Sequence, residues 1–274
     1  MGTVTVGSPA SIATGGNSGV TVTLPTVSIG DAIAIPIGWI NASGTGGVPN
    51  GPVAPSGWTL VAAKLGGSTI AANAAGQRGF TWLVREVDGT EGSSLAIAFP
   101  SGASFAAMTA RAYPLTKTAG EWDFACGTGE DSTSGADFSA TADTDPGIAA
   151  GDAFLAGAAW VPGNRTPSGQ AVSWPGATLS SLSQSMNTSN LNGWDVRTAV
   201  WDGTCTGGES TGAPTLTLTP SATIDGGPFN ILRVRAFEAP AGPALTIWNG
   251  SAEVPATLYI WNGSAEVPAT GEIA

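Results

Sequence analysis

The sequence predicts an all-β fold: two tandem antiparallel β-sandwich domains, jelly-roll or Ig-like, followed by a C-terminal tail of β-hairpin repeats. Three observations carry this. Short β-branched runs alternate apolar and polar residues with period two and are separated by Gly- and Pro-rich turns. Landmarks of the first half of the chain return in the same order in the second. The C-terminal region holds two nearly identical thirteen-residue units.

Residues 3–6 and 20–24 alternate with period two, as half-buried strands do. Residues 32–40 form a continuous apolar run and read as a strand buried on both faces. Residues 81–87 lead into Asp88-Gly89, a hairpin-turn signal. Residues 95–99 and 107–113 complete this half. Gly30-Asp31-Ala32 then recurs as Gly151-Asp152-Ala153, opening runs that reach Trp39 and Trp160. Asp88-Gly89-Thr90 recurs as Asp202-Gly203-Thr204, and Leu95 and Ile97 match Leu216 and Leu218. Arg111-Ala112-Tyr113 matches Arg235-Ala236-Phe237. Spacings that drift between fixed landmarks are what loop insertions produce. The expected domains are 1–117 and 118–239, with 240–274 as linker and repeats. Residues 177–192, rich in Ser, Thr and Asn, are poor helix formers and read as a loop. Residues 238–243 read as a short stiff linker, because Pro fixes φ.

With 42 % hydrophobic residues and 10 Trp, the chain has the material for a core despite 40 Gly and 19 Pro. Only 11 % of residues are charged, less than half the usual share of about 25 %. The net charge is −11, and Lys64 and Lys117 are the only lysines. Neutralising phosphates needs a cationic footprint, so nucleic acid is excluded as a partner, and anionic membrane surfaces with it. No apolar run approaches the roughly eighteen residues of a spanning helix, so membrane insertion is not expected. The opening Met1-Gly2-Thr3-Val4 has neither a basic nor an apolar leader region, and no signal peptide is expected. Cys126 and Cys205 read as unpaired buried thiols, with a disulfide as the alternative.

The chain has no histidine, which removes Ser-His-Asp and Cys-His nucleophile activation and the helical zinc-protease motif. Paired carboxylates are the one catalytic route open, and Asp137, Asp143, Asp145 and Asp152 are close in sequence. Yet Asp143-Thr144-Asp145-Pro146-Gly147 is ordinary turn chemistry, and Asp152 belongs to the duplicated turn. A calcium site from the same oxygens does not match the twelve-residue loop pattern. No catalytic residue, metal ligand or cofactor is therefore assigned, and an enzyme is not expected. Trp39, Trp82, Trp160 and Trp201 read as core. Trp58, Trp174 and Trp194 lie in Gly-, Pro- and Ser-rich stretches; core packing is the first reading, and glycan stacking the alternative.

The terminal units span 245–257 and 258–270 and differ only at Thr246 and Tyr259. A two-residue turn at Asn249-Gly250 places Trp248 opposite Ser251, Ile247 opposite Ala252 and Thr246 opposite Glu253. Leu245, Ile247 and Val254 then share an apolar face, with Trp248 on the other. In the second unit Leu258, Tyr259, Ile260, Trp261 and Val267 hold the matching places. These residues are the candidate assembly interface, and Trp248 and Trp261 are expected to be covered. Pro255 and Pro268 lack an N–H and mark edge strands.

The tandem Leu-x-Ile-Trp-Asn-Gly-Ser-Ala-Glu-Val-Pro-Ala-Thr units resemble the endings of minor tail proteins of actinobacterial siphophages. Gly30-Asp31-Ala32, Ser56-Gly57-Trp58-Thr59-Leu60 and Asp88-Gly89-Thr90 together are similar to β-sandwich modules of phage tail and bacterial surface proteins. The resemblance implies a virion structural protein, a minor tail or tail-tip component made and assembled in the host cytoplasm. It implies other tail proteins as partners and a homo-oligomer, trimeric by analogy with tail-tip architecture. It brings no catalytic residues. Host attachment through a cell-wall glycan is the alternative expectation, and a capsid decoration or head-fibre protein a further one.

Overall fold

The computed structural model describes residues 2–16, 19–41, 52–66, 77–98, 105–190 and 195–237, together with the backbone of four short strands beyond them. Every regular element among the described residues is a β-strand, and every pairing is antiparallel.

The first half opens with β1 (Val4–Val6), β2 (Ala13–Gly15), β3 (Val20–Thr23) and β4 (Ala32–Asn41). It continues through β5 (Thr59–Gly66), β6 (Arg78–Glu86), β7 (Ser94–Ile97), β8 (Phe105–Ala110) and β9 (Tyr113–Lys117). Seven of these make one sheet in the order β1-β9-β4-β6-β5, with β8 beside β4 and β2 beside β8; β3 and β7 pair separately. The predicted run 107–113 is thus split between β8 and β9. Because β6 and β7 belong to different sheets, Asp88-Gly89 is a crossing between layers and not the predicted hairpin turn.

The second half contains β10 (Glu121–Gly135), β11 (Phe138–Thr141), β12 (Ala153–Trp160), β13 (Pro167–Ser173) and β14 (Ala177–Leu179). Then follow β15 (Ser183–Asn190), β16 (Val196–Gly208), β17 (Thr215–Pro220) and β18 (Ile224–Phe237). Its large sheet runs β10-β18-β12-β16, with β14 and β15 both on β16, and its small sheet runs β11-β17-β13. Residues 177–192, expected as a loop, thus supply two strands. Pairing with β16, with Met186 and Asn190 buried, overrides their poor local propensity.

The two halves share one strand order, and the match extends to single hydrogen bonds. Gly30 N–H donates to Val87 O at 2.9 Å and Val87 N–H to Asp31 O at 2.8 Å. Gly151 and Cys205 repeat this at 3.0 Å, and Cys205 and Asp152 at 2.9 Å. A β-bulge interrupts β5 between Leu60, opposite Leu83, and Ala62, opposite Trp82. Its equivalent interrupts β15 between Gln184, opposite Trp201, and Met186, opposite Val200. The same frame keeps Leu95 and Ile97 matched with Leu216 and Leu218, which face Val22, Val20, Ala140 and Phe138. Two predicted matches fail. Asp202-Gly203 lies inside β16 opposite Leu155 and Phe154, so the counterpart of Asp88 is Thr206. Tyr113 faces Ala34 as Leu232 faces Leu155, which makes Asn230, and not Arg235, the counterpart of Arg111. Asp-Gly and Arg-Ala recur in both halves at positions that strand register does not equate.

The sheets stack in four layers. The small β3-β7 sheet covers one face of the first large sheet around Ile33, Ile35, Ile37 and Trp39. The small β11-β17-β13 sheet covers the second around Phe154, Ala156, Trp160 and Trp201. Between the large sheets lies a third core that draws on both halves, including Phe80, Trp82 and Tyr113 from one and Leu155, Val200 and Leu232 from the other. The expected sandwiches are therefore joined face to face through a common core. Both large sheets are covered on both faces, so β4 and β12 read as continuous apolar runs. Each fully buried Leu, Ile or Phe on these faces stabilises by about 1.5–3 kcal/mol. Close approach needs missing side chains: a Cβ on Gly157 would collide with the Phe80 ring, and one on Gly38 with Thr198. Polar bonds stitch the seam, with Asn230 Nδ2 donating to Phe80 O at 2.9 Å and Asn190 Nδ2 to Gly15 O at 2.7 Å. The buried Arg78 meets the Asp225 carboxylate at 3.2 Å and its carbonyl at 2.9 Å. Cys126 and Cys205 are unpaired.

The terminal units form the two expected hairpins, β19 (Thr246–Trp248) with β20 (Glu253–Pro255) and β21 (Tyr259–Trp261) with β22 (Glu266–Pro268). Their register differs from the predicted one by two residues: Trp248 faces Glu253 and Ile247 faces Val254, repeated as Trp261 with Glu266 and Ile260 with Val267. Ile247 and Val254 are therefore register partners in place of the predicted Ile247 and Ala252. Leu245, Leu258 and the side chains of these strands lie outside the described residues, as does the expected cover over Trp248 and Trp261.

Candidate functional site

The tryptophans with a candidate glycan role prove to be structural where they are described. Trp58 is 6 % exposed and packs into the first outer core. Trp174 is 3 % exposed, meets Phe154 edge to face, and donates its indole N–H to Asp145 Oδ1 at 2.9 Å. Neither offers a free ring face to a sugar, because each indole gains more by joining a core beneath its loop. Trp194 lies outside the described residues. Trp39, Trp82, Trp160 and Trp201 are fully buried, as expected.

The clustered aspartates are spent on separate local contacts. Asp143 pairs with Lys64 at 2.8 Å, and Asp137 accepts from the Thr219 hydroxyl at 3.4 Å. Asp145 accepts the Gly147 amide as well as the Trp174 indole. Asp152 is held by Arg235 at 2.7 Å. Among the described residues no three His, Cys, Asp or Glu side chains converge in a way that would hold a metal ion.

Among the described residues a groove opens where the edges of the two large sheets part. It is an open groove of about 500 Å³ between β5 with the end of β6 on one side and β10 on the other. Residues of β5, of the end of β6 and of β10 line it, among them Thr59, Val61, Glu86, Trp122, Asp123 and Phe124. Trp122 and Phe124 are two apart on β10 and so point to the same side of the sheet. Their rings lie 5.7 Å apart and 14° from parallel, and both pack against the middle core. Lys117 Nζ sits 4.7 Å from the indole centroid, and the indole N–H donates to Gly30 O at 2.9 Å. Trp122 is therefore held by Phe124 beside it, Lys117 over its ring and Gly30 at its N–H.

The charges around the groove are already matched. Glu86 is half exposed, with Lys117 at 3.7 Å. Arg85 pairs with Asp88 at 2.8 Å and Glu91 at 3.1 Å. The Thr90 hydroxyl and amide, with Arg85 behind them, hold the Asp88 carboxyl well below the usual carboxylate range. Asp123 pairs with Arg233 at 2.6 Å.

The equivalent corner of the other half is built differently. Register places Val4 and Val6 where Trp122 and Phe124 stand, and Ser185 and Asp202 where Val61 and Val84 stand. Arg111 closes it, donating from Nε to Ala10 O at 2.5 Å and from Nη1 to Ser185 O. Burial pushes the Asp202 carboxyl up there. Sequence reasoning passed over Trp122 and Phe124, whose only signal is an aromatic pair at spacing two. That they face a gap depends on β5, which is distant in the sequence.

Among the described residues no helix is long and apolar enough to cross a membrane. Comparison with protein-family models, with curated proteins and with solved structures finds no match to this chain.

Proposed function

We propose that the chain is a structural protein of a phage virion, a minor tail or tail-tip component that acts in assembly. The observation that carries this reading is the pair of terminal hairpins. Among the described residues each pairs only within itself, and a two-stranded ribbon is marginal in water without further strands or a packed surface. Identical registers in the two units fit the same contact made twice, to other virion proteins or to further copies of the chain. The body supports the reading as a rigid carrier, since three cores in four layers leave its large sheets covered on both faces. The resemblance of the units to the endings of siphophage minor tail proteins points the same way, and a trimer is the assembly that analogy favours.

The test removes the hairpins. A chain ending at Glu238 should stay folded, fall to a lower mass by light scattering than the full-length chain, and fail to enter virions. Assembly and incorporation equal to those of the full-length chain would overturn the proposal.

A further inference from the structure

We infer that the open edge of β7 is a docking site for a second copy of this chain, which adds the first strand of one of its terminal hairpins as the third strand of the β3-β7 sheet. The inference rests on the assembly reading and names the surface of the body that takes the hairpin.

The two halves differ at this edge. In the second half β17 lies between β11 and β13, and Ser173, Ala171 and Ser168 of β13 stand across from Thr215, Thr217 and Thr219. The shared register equates these three threonines with Ser94, Ala96 and Ala98. In the first half β7 pairs with β3 alone. Leu24 N–H donates to Ser93 O at 3.0 Å. Alternation then turns the backbone groups of Ser93, Leu95 and Ile97 toward β3 and those of Ser94, Ala96 and Ala98 away from it. Val53 N–H donates to Ala98 O at 3.3 Å, in the place that Ser168 holds on β17. The chain then turns off at Pro55, whose carbonyl accepts Trp58 N–H at 3.0 Å. Among the described residues no backbone bond reaches Ser94 or Ala96 from that side.

Burial records the same gap. Leu216 is fully buried, its counterpart Leu95 only partly so, and Val53 at the edge is 58 % exposed. Proteins blunt open edges with Pro, charge or a bulge. Residues 93–98 contain no Pro and no charge, and the register of β7 with β3 is unbroken. By contrast β13 opens on Pro167 and is bulged between Ser168 and Ala171.

The hairpins identify the occupant. Each is a two-stranded ribbon that gains stability from a further strand. β20 and β22 carry Pro255 and Pro268, which cannot donate to one. β19 and β21 contain neither Pro nor charge, so they meet the neutral β7 edge without desolvating an ion. Residues 238–245 extend at most about 26–29 Å, enough to carry the first hairpin from β18 to a neighbouring body. Docked there, the strand exchanges backbone bonds with Ser94 and Ala96 as β13 does with β17, the mode in which sheets recruit extended segments. A hairpin of one copy on β7 of the next is a heterologous contact, the kind that builds rings, trimers included.

The experiment is hydrogen–deuterium exchange of the full-length chain at low and at high micromolar concentration, read on a peptide carrying residues 93–98. The Ser94 and Ala96 amides should exchange about tenfold or more slowly at the higher concentration, because a bound partner closes the edge. Equal protection at both concentrations would show that the chain covers its own edge, and fast exchange at both that nothing does; either overturns the inference. Ala96→Pro is the second arm. It removes an N–H on the open side of an edge strand, where Pro is tolerated, so thermal unfolding should match the parent. Mass by light scattering should fall to that of a single chain. A folded variant that assembles like the parent would also overturn the inference, and if the variant fails to fold, exchange in the parent chain decides. Loss of assembly in the chain ending at Glu238, with assembly kept in Ala96→Pro, would retain the role of the hairpins and reject β7 as their site.

Discussion

Asp31 and Asp152 occupy the same corner in the two halves, each accepting the backbone amide three residues before it: Ser28 at 2.9 Å and Ala149 at 2.8 Å. They differ in one respect. Asp152 is 2 % exposed and is also gripped by Arg235, through Nε at 2.9 and 3.0 Å and Nη2 at 2.7 Å. Asp31→Ala should cost about 1 kcal/mol, the loss of one turn hydrogen bond. Asp152→Ala should cost about 3 kcal/mol, because it also strips a partly buried guanidinium of its partner. Urea unfolding of the two variants measures the difference, and equal losses would show that the Arg235 contact contributes nothing.

The middle core depends on glycine at a close approach. Gly157→Ala forces the Phe80 ring out of its place between the large sheets and should destabilise by about 1–3 kcal/mol. Gly207 is a fitting control, since an added Cβ there meets Thr178 at an ordinary 3.9 Å. Gly207→Ala should stay within about 0.5 kcal/mol of the parent. A shift in thermal unfolding as large for the control as for Gly157→Ala would refute the packing account.

Tyr113 gives the shared core a signature at alkaline pH. Burial pushes its phenol above the ordinary range, whereas an exposed tyrosine ionises near pH 10. The folded form thus holds the proton that the unfolded chain releases. The stability it contributes is full below about pH 10 and is lost as pH rises through the folded value. In a Tyr259→Phe variant Tyr113 is the sole tyrosine. Absorbance at 295 nm should then show phenolate only together with loss of the far-ultraviolet strand signal. A phenolate step near pH 10 with strand signal intact would contradict the burial.

Trp174 is expected to behave as core. Asp145→Ala, which leaves the indole N–H without its acceptor, should cost about 1–2 kcal/mol, and Trp174→Ala about 3–5 kcal/mol. Chemical denaturation provides both values. A Trp174→Ala chain as stable as the parent would return this residue to the candidates for ligand contact.

What the sequence by itself determined is local. Alternation in residues 20–24 and the unbroken run 32–40 report which faces of a strand are buried, because side-chain direction reverses at each residue. Gly30-Asp31 and Gly151-Asp152 mark the repeated corner through a backbone requirement, φ of +90° and +96° at the glycines. The repeat units likewise announced their hairpins. The tertiary structure alone decided what lies against each face. Nothing near Phe80 in the chain says that Gly157 will meet it, and although Trp58 and Trp174 read first as core, nothing near them says which core each joins. Residues 177–192 became strands because β16 offered an edge, and Ile247 found Val254 in place of Ala252 through cross-strand pairing. The groove belongs to the same category. Trp122 and Phe124 face an opening only because β5 and β10, edges of two sheets from different halves, are brought together by the packing of the core between them.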